Sequence, residues 1–327
     1  MTRLNPHGGG RVRCRPFRVL LLAMVAAVLS TAAGCGAGDQ AGTDGRPSVV
    51  TTIGMITDIT EIVGGERVRV TGLMGPGIDP HLYRATAGDV RQLEGADLIL
   101  YNGLHLEAAM GEVLGRMEGR IRARAVTDGI PRDVLLTPPE WEGAFDPHVW
   151  SDVSLWKHAV EAVRDALVEL DPEGGEEFRA RAAALLVELD ELHEWVQREV
   201  ERVPEERRVL VTAHDAFNYF GAAYGFEVEG LQGLSTMVEA GTGDVRRIAD
   251  LVAERRIPAI FIESSISRRN IEAVQAAVRS RGFDVEVGGV LFSDAMGDPG
   301  TEEGTYVGMV RHNVSTIVNA LARDPAG

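Results

Sequence analysis

The chain is short of cysteine, because its 327 residues contain two, Cys14 and Cys35. Both lie in a stretch that we predict to be a secretory leader and its attachment point. Once the leader is removed, the folded part has no disulfide and no free thiol, so its stability must come from a packed core. A soft-metal site built on cysteine thiolates is excluded for the same reason.

The apolar run at the start of the chain is too short to cross a bilayer comfortably. It extends from Val19 to Ala33, about 15 residues against the ~20 that a membrane helix needs. Five arginines and no acidic residue precede it, which is typical of a secretory signal peptide over residues 1–34. The sequence Ala32-Ala33-Gly34-Cys35 resembles a bacterial lipobox, although alanine stands where that pattern prefers leucine. This predicts lipidation at Cys35, the alternative being an ordinary signal peptide that ends near a cysteine.

Basic residues are scarce relative to acidic ones, at 33 against 49, which gives a net charge of −16. Removal of the predicted leader, with its five arginines and no acidic residue, takes the net charge to −21. This balance argues against nucleic-acid binding. It suits a domain that is held away from an anionic membrane surface and concentrates cations, although solubility alone explains it equally well. The Gly-rich residues 35–48 predict a flexible tether of roughly 20 Å reach.

Short apolar runs alternate with helical runs from residue 48 onward. The predicted strands are residues 48–54, 68–74, 96–102, 208–214, 259–265 and 285–292. Helical runs such as residues 85–95, 154–170, 244–256 and 267–282 lie between them. Apolar strands that alternate with helices are typical of parallel sheets covered by helices. The predicted fold class is therefore α/β, with two lobes that each hold a mostly parallel sheet flanked by helices.

One helical run is much longer than the others. Between Glu176 and Val203 the apolar residues recur every three or four positions, and no glycine or proline interrupts them. This spacing predicts one continuous, rigid helix of about 40 Å. We place an N-terminal metal-binding lobe at residues 49–172, the linking helix at 173–203 and a C-terminal metal-binding lobe at 204–325. The alternative is a long surface helix on a single domain.

The tripeptide Asp-Pro-His occurs twice, in GIDPHLYR and in FDPHVWSD, and ends at His81 and His148. His214 ends a predicted strand, RVLVTAH, and Asp294 follows another, VEVGGVLFS. Open α/β sheets bind ligands at the carboxyl ends of their strands, so these four side chains are expected to meet in a cleft between the lobes. Three imidazoles and one carboxylate suit Zn, Mn, Fe, Co or Ni. The spacing leaves open the alternative that each Asp-Pro-His is an ordinary turn.

Three further carboxylates lie near the predicted ligands. Asp79 and Asp146 stand two residues before their histidines, where they either accept the second ring N–H or cap the turn, with turn capping favoured. Glu263 ends the strand AIFIE and is predicted either to support a ligand or to replace one. Proline before each of the two histidines restricts the backbone, which lowers the entropy lost when the ring is held for a metal.

Several stretches together resemble the TroA-like metal-binding lipoproteins of bacterial ABC importers. They are GIDPHLYRATAGDVRQLEGADLILYNGLHLE, FDPHVWSDVSLW, VLVTAHDAFNYFGAAYGFEVEGLQGLST, IPAIFIESSISRRNIEAV and GGVLFSDAMGDPGTEEGTYVGMVRHN. The resemblance covers nearly the whole mature chain and implies two α/β lobes joined by one long rigid helix. It also implies a metal site made of His81, His148, His214 and Asp294.

The resemblance also bears on the identity of the metal. Many manganese-binding members have glutamate where this chain has His214, and the zinc-specific branch usually carries a His-rich acidic loop between the first two ligands. That loop is missing, because His105 is the only histidine between His81 and His148. The implied cargo is one divalent ion, Zn²⁺ or Mn²⁺, with Fe²⁺ as a further candidate. Binding through both oxygens of Asp294 would favour Mn²⁺.

The implied function is that of a solute-binding lipoprotein, held outside the cytoplasm by a lipid on Cys35, that delivers its ion to an ABC permease and its ATPase. We expect a monomer that is not an enzyme and does not bind nucleic acid. Two alternatives use the same metal site. One is a secreted metallohydrolase with Glu263 as its base, although the sequence contains no H-E-x-x-H motif. The other is a surface adhesin or structural lipoprotein with incidental metal.

Overall fold

The computed structural model describes residues 45–117, 121–138 and 143–323. Its strands are β1 (Ser48–Thr51), β2 (Arg69–Gly72), β3 (Leu98–Tyr101), β4 (Arg122–Ala125), β5 (Val209–His214), β6 (Glu227–Gln232), β7 (Ala259–Glu263) and β8 (Glu286–Leu291). Its helices are α1 (Gly54–Gly64), α2 (Ala87–Glu94), α3 (Gly111–Met117), α4 (Val153–Leu170), α5 (Gly175–Val200), α6 (Asn218–Tyr224), α7 (Thr242–Arg255), α8 (Arg269–Arg279) and α9 (Tyr306–Leu321). None of the described helices is both long enough and apolar enough to cross a membrane.

The first sheet has four parallel strands in the order β2-β1-β3-β4. Its two central strands are apolar and buried, as shown by Val49, Val50 and Ile99, which are at most 2% exposed. Parallel strands need a crossover connection, and helices supply it here. The carboxyl ends of all four strands therefore lie along one edge of the sheet, and the loop after β2 leaves from that edge.

The second half of the chain repeats this arrangement. Strand β5 pairs in parallel with β6, and β7 pairs in parallel with β8. Strands β5 and β7 also lie side by side, which gives the spatial order β6-β5-β7-β8. At the carboxyl end of this junction a side chain bridges the two strands, because Glu263 Oε1 accepts from the backbone N–H of His214 at 2.8 Å. The two lobes therefore share one strand order: in each, the first strand in sequence lies between the second and the third.

The long predicted helix is α5, which has 26 residues and is about 39 Å long. Its buried face is made of Phe178, Ala182, Leu185, Leu189, Leu192, Val196 and Val200. It packs on α1 and α4 from the first half of the chain and on α6 and α9 from the second half. The predicted architecture of two α/β lobes joined by one long helix is thus confirmed, while the residue boundaries given for the lobes stay a prediction.

Two apolar clusters make up the core of the described residues. The larger cluster contains side chains of both lobes and the inner face of α5, including Trp150 and Trp156 from the first lobe and Phe261 and Tyr306 from the second. The smaller cluster lies within the second lobe, between its strands and helices α7 and α8. Burial of one large apolar side chain contributes roughly 1.5–3 kcal/mol. The larger cluster therefore opposes any movement that would pull the lobes apart as rigid bodies.

The sequence predicted six of the eight described strands and missed β4 and β6. The four helical runs given by their ranges correspond to α2, α4, α7 and α8, with ends that differ by at most three residues. The predicted signal peptide over residues 1–34, the predicted lipidation site Cys35 and the tether up to residue 44 lie outside the described residues.

Candidate metal centre

The four predicted site residues, His81, His148, His214 and Asp294, lie together in a single buried cluster. Each offers one ligand atom, and these atoms are all within 4.8 Å of one another. His81 lies in the loop after β2, His148 lies just before α4, His214 is the last residue of β5, and Asp294 follows β8. The first lobe thus provides two of the four side chains and the second lobe provides the other two.

Asp146 holds His148 at two points. One carboxylate oxygen, Oδ1, accepts from the backbone N–H of His148 at 2.9 Å and from its ring Nδ1 at 2.8 Å. The other oxygen accepts from the side-chain amide of Asn218 at 3.0 Å. Because a carboxylate only accepts, Nδ1 carries the proton and Nε2 keeps its lone pair for the cluster. Asp146 therefore fills both predicted roles, since it caps the turn and orients the ring.

Glu263 holds His214 in the same manner from a neighbouring strand. Its Oε2 accepts from the ring Nδ1 of His214 at 2.5 Å, while its Oε1 accepts from the backbone N–H of the same residue. Both carboxylate oxygens are thus engaged by one histidine. Of the two roles left open by the sequence, the geometry favours support of His214 over replacement of a ligand.

Asp79 behaves differently from Asp146, although both belong to an Asp-Pro-His tripeptide. Its Oδ1 accepts from the backbone N–H of His81 at 2.9 Å, which caps the turn as predicted. Its Oδ2 accepts from the hydroxyl of Thr236, in the second lobe, at 2.6 Å. Among the described residues no carboxylate accepts from Nδ1 of His81. This ring is therefore held less firmly than the other two rings of the cluster.

Trp150 holds the backbone directly before Asp294 in place. Its indole Nε1 donates to the carbonyl of Ser293, the residue before Asp294, at 2.8 Å. Its ring lies edge-on to His148, with 5.3 Å between the centroids. The hydroxyl of Tyr306 in turn donates to the carbonyl of Trp150 at 2.8 Å. An aromatic side chain of the first lobe thus positions the carboxylate of the second lobe.

The distances between the polar atoms fit a small divalent ion. His81 Nε2 lies 3.2 Å from His148 Nε2 and 3.7 Å from Asp294 Oδ2, and that oxygen is 3.2 Å from His214 Nε2. Four donors at ~2.0–2.1 Å from a tetrahedral ion are about 3.3–3.4 Å apart. His214 Nε2 and both oxygens of Asp294 are buried and have no hydrogen-bond partner outside the cluster in the described residues. Buried polar atoms without partners are rare, and an ion would satisfy all three.

The charges of the cluster also favour a cation. Burial lowers the pKa of His81 from 6.5 to about 3, so its ring is neutral at physiological pH. Burial alone would also lower the pKa of His214, but the carboxylates of Glu263 and Asp294 outweigh it and hold that pKa well above 6.5. Burial raises the pKa of Asp294, yet the surrounding imidazoles, above all His214, hold it well below 3.8. The carboxylate therefore stays ionised and attracts positive charge.

A second buried network, which the sequence analysis missed, supports the loop that carries His148. Glu107 is 3% exposed, and its Oε1 accepts from the hydroxyl of Thr52 at 2.7 Å and from the backbone N–H of Asn102 at 2.7 Å. The side-chain amide of Asn102 donates to the carbonyl of Pro147 at 3.0 Å. The only sequence signal was a pair of polar residues at the end of a predicted strand: Asn102, the last residue of ADLILYN, and Glu107, five residues further on.

Residues 49–320 match the family described as the periplasmic zinc-uptake complex component A. Over 284 residues the chain is 56% identical to the zinc-binding protein TroA of Treponema pallidum, covering 87% of this chain and 92% of that protein. Over 303 residues it is 46% identical to the manganese-binding lipoprotein MntA of Bacillus subtilis, covering 91% of this chain and 98% of that protein.

The fold also matches a solved structure. The periplasmic zinc-binding protein TroA from Treponema pallidum superimposes with a TM-score of 0.83 at 56% identity, over 85% of this chain and 100% of that one. The likeness therefore extends over both lobes and the long helix, and is not confined to one sheet.

Proposed function

The chain belongs to the family of periplasmic zinc-uptake components that it matches over residues 49–320, and we propose that it captures a divalent transition metal for an ABC importer. The ion would bind between the lobes to His81, His148, His214 and Asp294. The protein would then deliver it to a membrane permease and its ATPase. This proposal agrees with the zinc-binding and manganese-binding functions named for the two relatives.

One observation carries the proposal: His214 Nε2 and both oxygens of Asp294 are buried, have no hydrogen-bond partner outside the cluster in the described residues, and lie together with the ligand atoms of two more imidazoles. Leaving a buried polar atom without a partner costs roughly 1–3 kcal/mol, and more for a charged group. A fold that keeps three such atoms together is stabilised when a cation occupies the space between them. The four ligands come from two lobes, so the ion would also link the lobes.

We propose Zn²⁺ or Mn²⁺ as the cargo, with Fe²⁺ as a further candidate. Three imidazoles suit Zn²⁺, which binds most sites of this kind more tightly than Mn²⁺ does. Neither oxygen of Asp294 has another partner in the described residues, so the carboxylate is free to bind through both of them. Five ligand atoms would improve the site for Mn²⁺.

We propose that the protein is not an enzyme. A metallohydrolase needs an open ligand position and a general base near the bound water. Glu263, the base considered from the sequence, has both oxygens engaged by His214. Four protein ligands would close the shell of a tetrahedral ion. The retained water ligand that a hydrolase requires is therefore not expected on the bound metal.

We further propose that the protein acts as a monomer outside the cytoplasm, anchored through a lipid on Cys35. The basic, apolar and small-residue segments that precede this cysteine support secretion and lipidation. Mass spectrometry of the N-terminal peptide released from membranes would test the anchor. A peptide that begins at an unmodified residue after Cys35 would contradict it.

The function itself is tested by measuring the metal content of the protein, purified without chelators or metal-binding tags, by plasma mass spectrometry. We expect about one equivalent of Zn or Mn in the wild type and a loss of that metal in His214→Ala. His158→Ala is the matched control, because that histidine lies on α4 with its side chain 37% exposed. Near-zero metal in the wild type, even after incubation with Zn²⁺ and Mn²⁺, would refute the proposal. Unchanged cellular metal levels in the His214→Ala strain would instead favour the adhesin alternative.

A further inference from the structure

The three histidines of the site differ in how their rings are supported. The ring Nδ1 of His148 donates to Asp146, and the ring Nδ1 of His214 donates to Glu263. His81 has no such carboxylate among the described residues, and at 3% exposure it is the most accessible of the three. Apart from its contacts with the other three site residues, the ring of His81 thus depends on its loop for its position.

The loop that carries His81 is lightly packed. Its neighbours Ile78 and Leu82 are 39% and 52% exposed, so movement of this loop would bury or expose little apolar surface. His214 lies within a buried strand, β5, and His148 lies next to the buried side chain of Trp150. Of the three histidines, His81 can therefore withdraw with the least disruption of the core.

One side-chain hydrogen bond joins this loop to the opposite lobe. Asp79 Oδ2 accepts from the hydroxyl of Thr236 at 2.6 Å, across 157 positions of sequence. Thr236 is 6% exposed, while the next two residues, Met237 and Val238, are 61% and 77% exposed. The amide of Gln232 holds the base of the same loop by donating to the carbonyl of Val238 at 3.0 Å. Both partners of the interlobe bond therefore lie on loops whose neighbouring side chains are largely exposed.

We propose that the hydrogen bond between Asp79 and Thr236 is an interlobe clasp that sets the rate at which the bound metal is released. The clasp is formed in the same arrangement that places His81 Nε2 3.2 Å from His148 Nε2 and 3.7 Å from Asp294 Oδ2. When it breaks, the loop of His81 is free to leave, and the site loses its least supported ligand first. Asp79 and Thr236 are positioning residues in this account. The inference rests on the proposed function, because it requires that the four side chains bind the ion.

The test is the rate of Zn²⁺ release from the full-length protein, purified in mild detergent and mixed rapidly with an excess of a fluorescent chelator. Thr236→Val keeps the shape of the side chain and removes the donor. We expect it to release Zn²⁺ at least about tenfold faster, as befits the loss of a hydrogen bond to a carboxylate. Thr236→Ser restores the donor and should release Zn²⁺ at nearly the wild-type rate. Thr242→Val, at the exposed start of α7, is the matched control and should also behave as wild type.

The outcomes separate the clasp from general destabilisation and from the proposed function. Faster release by Thr236→Val alone, with an unchanged unfolding midpoint of the metal-free protein, supports the clasp. An unchanged release rate overturns it, and so does a faster rate that serine fails to restore or that accompanies an equal loss of metal-free stability. A wild-type protein that binds no Zn²⁺ would refute the proposed function itself, whereas failure of the clasp leaves that function intact.

Discussion

Glu263 binds His214 through both of its carboxylate oxygens, one to the backbone N–H at 2.8 Å and the other to ring Nδ1 at 2.5 Å. The first bond joins strands β5 and β7 at their carboxyl ends, and the second sets the direction of the imidazole. One side chain therefore connects the sheet of the second lobe to the metal centre. Replacement of Glu263 should therefore reduce the affinity for the metal more than the stability of the fold.

We expect Glu263→Gln to weaken Zn²⁺ binding about 10–100-fold, which is the usual effect of losing a carboxylate that orients a ligating histidine. Glutamine keeps the shape and one acceptor but loses the charge that makes the imidazole a strong donor to the ion. Competition with a chelator of known affinity measures the change. Glu272→Gln is the control, because Glu272 lies on α8 and pairs only at the surface with Arg268. Equal affinities of wild type and Glu263→Gln would exclude the orienting role.

Metal binding should release about one proton per ion at neutral pH. The carboxylates hold the pKa of His214 well above 6.5 against the opposing effect of burial, so its ring is protonated before the ion arrives. The ion must displace the proton on Nε2, while Nδ1 stays bonded to Glu263. Affinity should therefore rise up to about tenfold per pH unit until the pH exceeds the pKa of His214. His81 contributes no proton, because its pKa is about 3.

Calorimetric titration with Zn²⁺ in two buffers of different ionisation enthalpy counts these protons. Glu263→Gln should release fewer, since the pKa of His214 falls when the adjacent carboxylate is lost. The same apparent enthalpy in both buffers for the wild type would mean that the histidine is neutral before binding, contrary to this expectation.

Asp294→Asn should reduce the affinity for Mn²⁺ more than the affinity for Zn²⁺. In the described residues neither oxygen of Asp294 has a hydrogen-bond partner outside the four-residue cluster, and asparagine leaves one oxygen and no charge. Mn²⁺ prefers oxygen ligands and a larger number of them, whereas Zn²⁺ is satisfied by three imidazoles and one further atom. Parallel titrations with the two ions measure the ratio of affinities. An equal loss for both would indicate that the carboxylate binds through a single oxygen.

Asp58→Asn should stabilise the protein at neutral pH and not in acid. Burial raises the pKa of Asp58 from 3.8 to about 6, and the nearby acidic groups Glu61 and Glu188 add to this effect. The folded state therefore binds more protons than the unfolded chain between these two values, and stability falls as the pH rises from about 3.8 to about 6. Asparagine stays neutral throughout and can still accept the backbone N–H of Tyr306, which lies 2.9 Å from the carboxylate.

The expected gain from Asp58→Asn is about 3 kcal/mol well above pH 6 and small near pH 4. Denaturant unfolding of the metal-free protein at both pH values measures it. Asp128→Asn, at an exposed position, controls for the change in net charge and should shift stability little. A loss of stability in Asp58→Asn at neutral pH would mean that the carboxylate is used in its ionised form.

The fold was predictable where burial was strong. The strands found from the sequence include the buried central ones, such as β1 and β5. Their consecutive apolar residues differ from the three- or four-residue spacing of the neighbouring helices. The two missed strands, β4 and β6, lie at the edges of their sheets. They read RARA and EVEGLQ, because an edge strand that is open to solvent tolerates charged residues. Composition therefore gave no sign of them.

The ligands of the candidate site were predictable because the sequence repeats a tripeptide and places polar residues at strand ends. Two Asp-Pro-His tripeptides and two polar residues at strand ends singled out four side chains that the fold brings together. The supporting carboxylates were predicted only in part: Asp146 and Glu263 were named as candidates, but not which ligand Glu263 supports, since it is 49 positions from His214. The bond from Thr236 to Asp79 was not predicted, because the two residues are 157 positions apart. Such pairings depend on how two lobes meet, and no local pattern encodes that.

The apolar cluster that both lobes share also governs how the protein should denature. Chains built from two separate cores can melt in two steps, one for each core. Here the buried side chains of α5, together with Trp156 and Tyr306, belong to one cluster that contains residues of both lobes. Unfolding of either lobe would therefore remove part of the packing of the other. Calorimetry should accordingly show one cooperative heat-absorption peak for the metal-free chain, with the two lobes unfolding as a single thermodynamic unit.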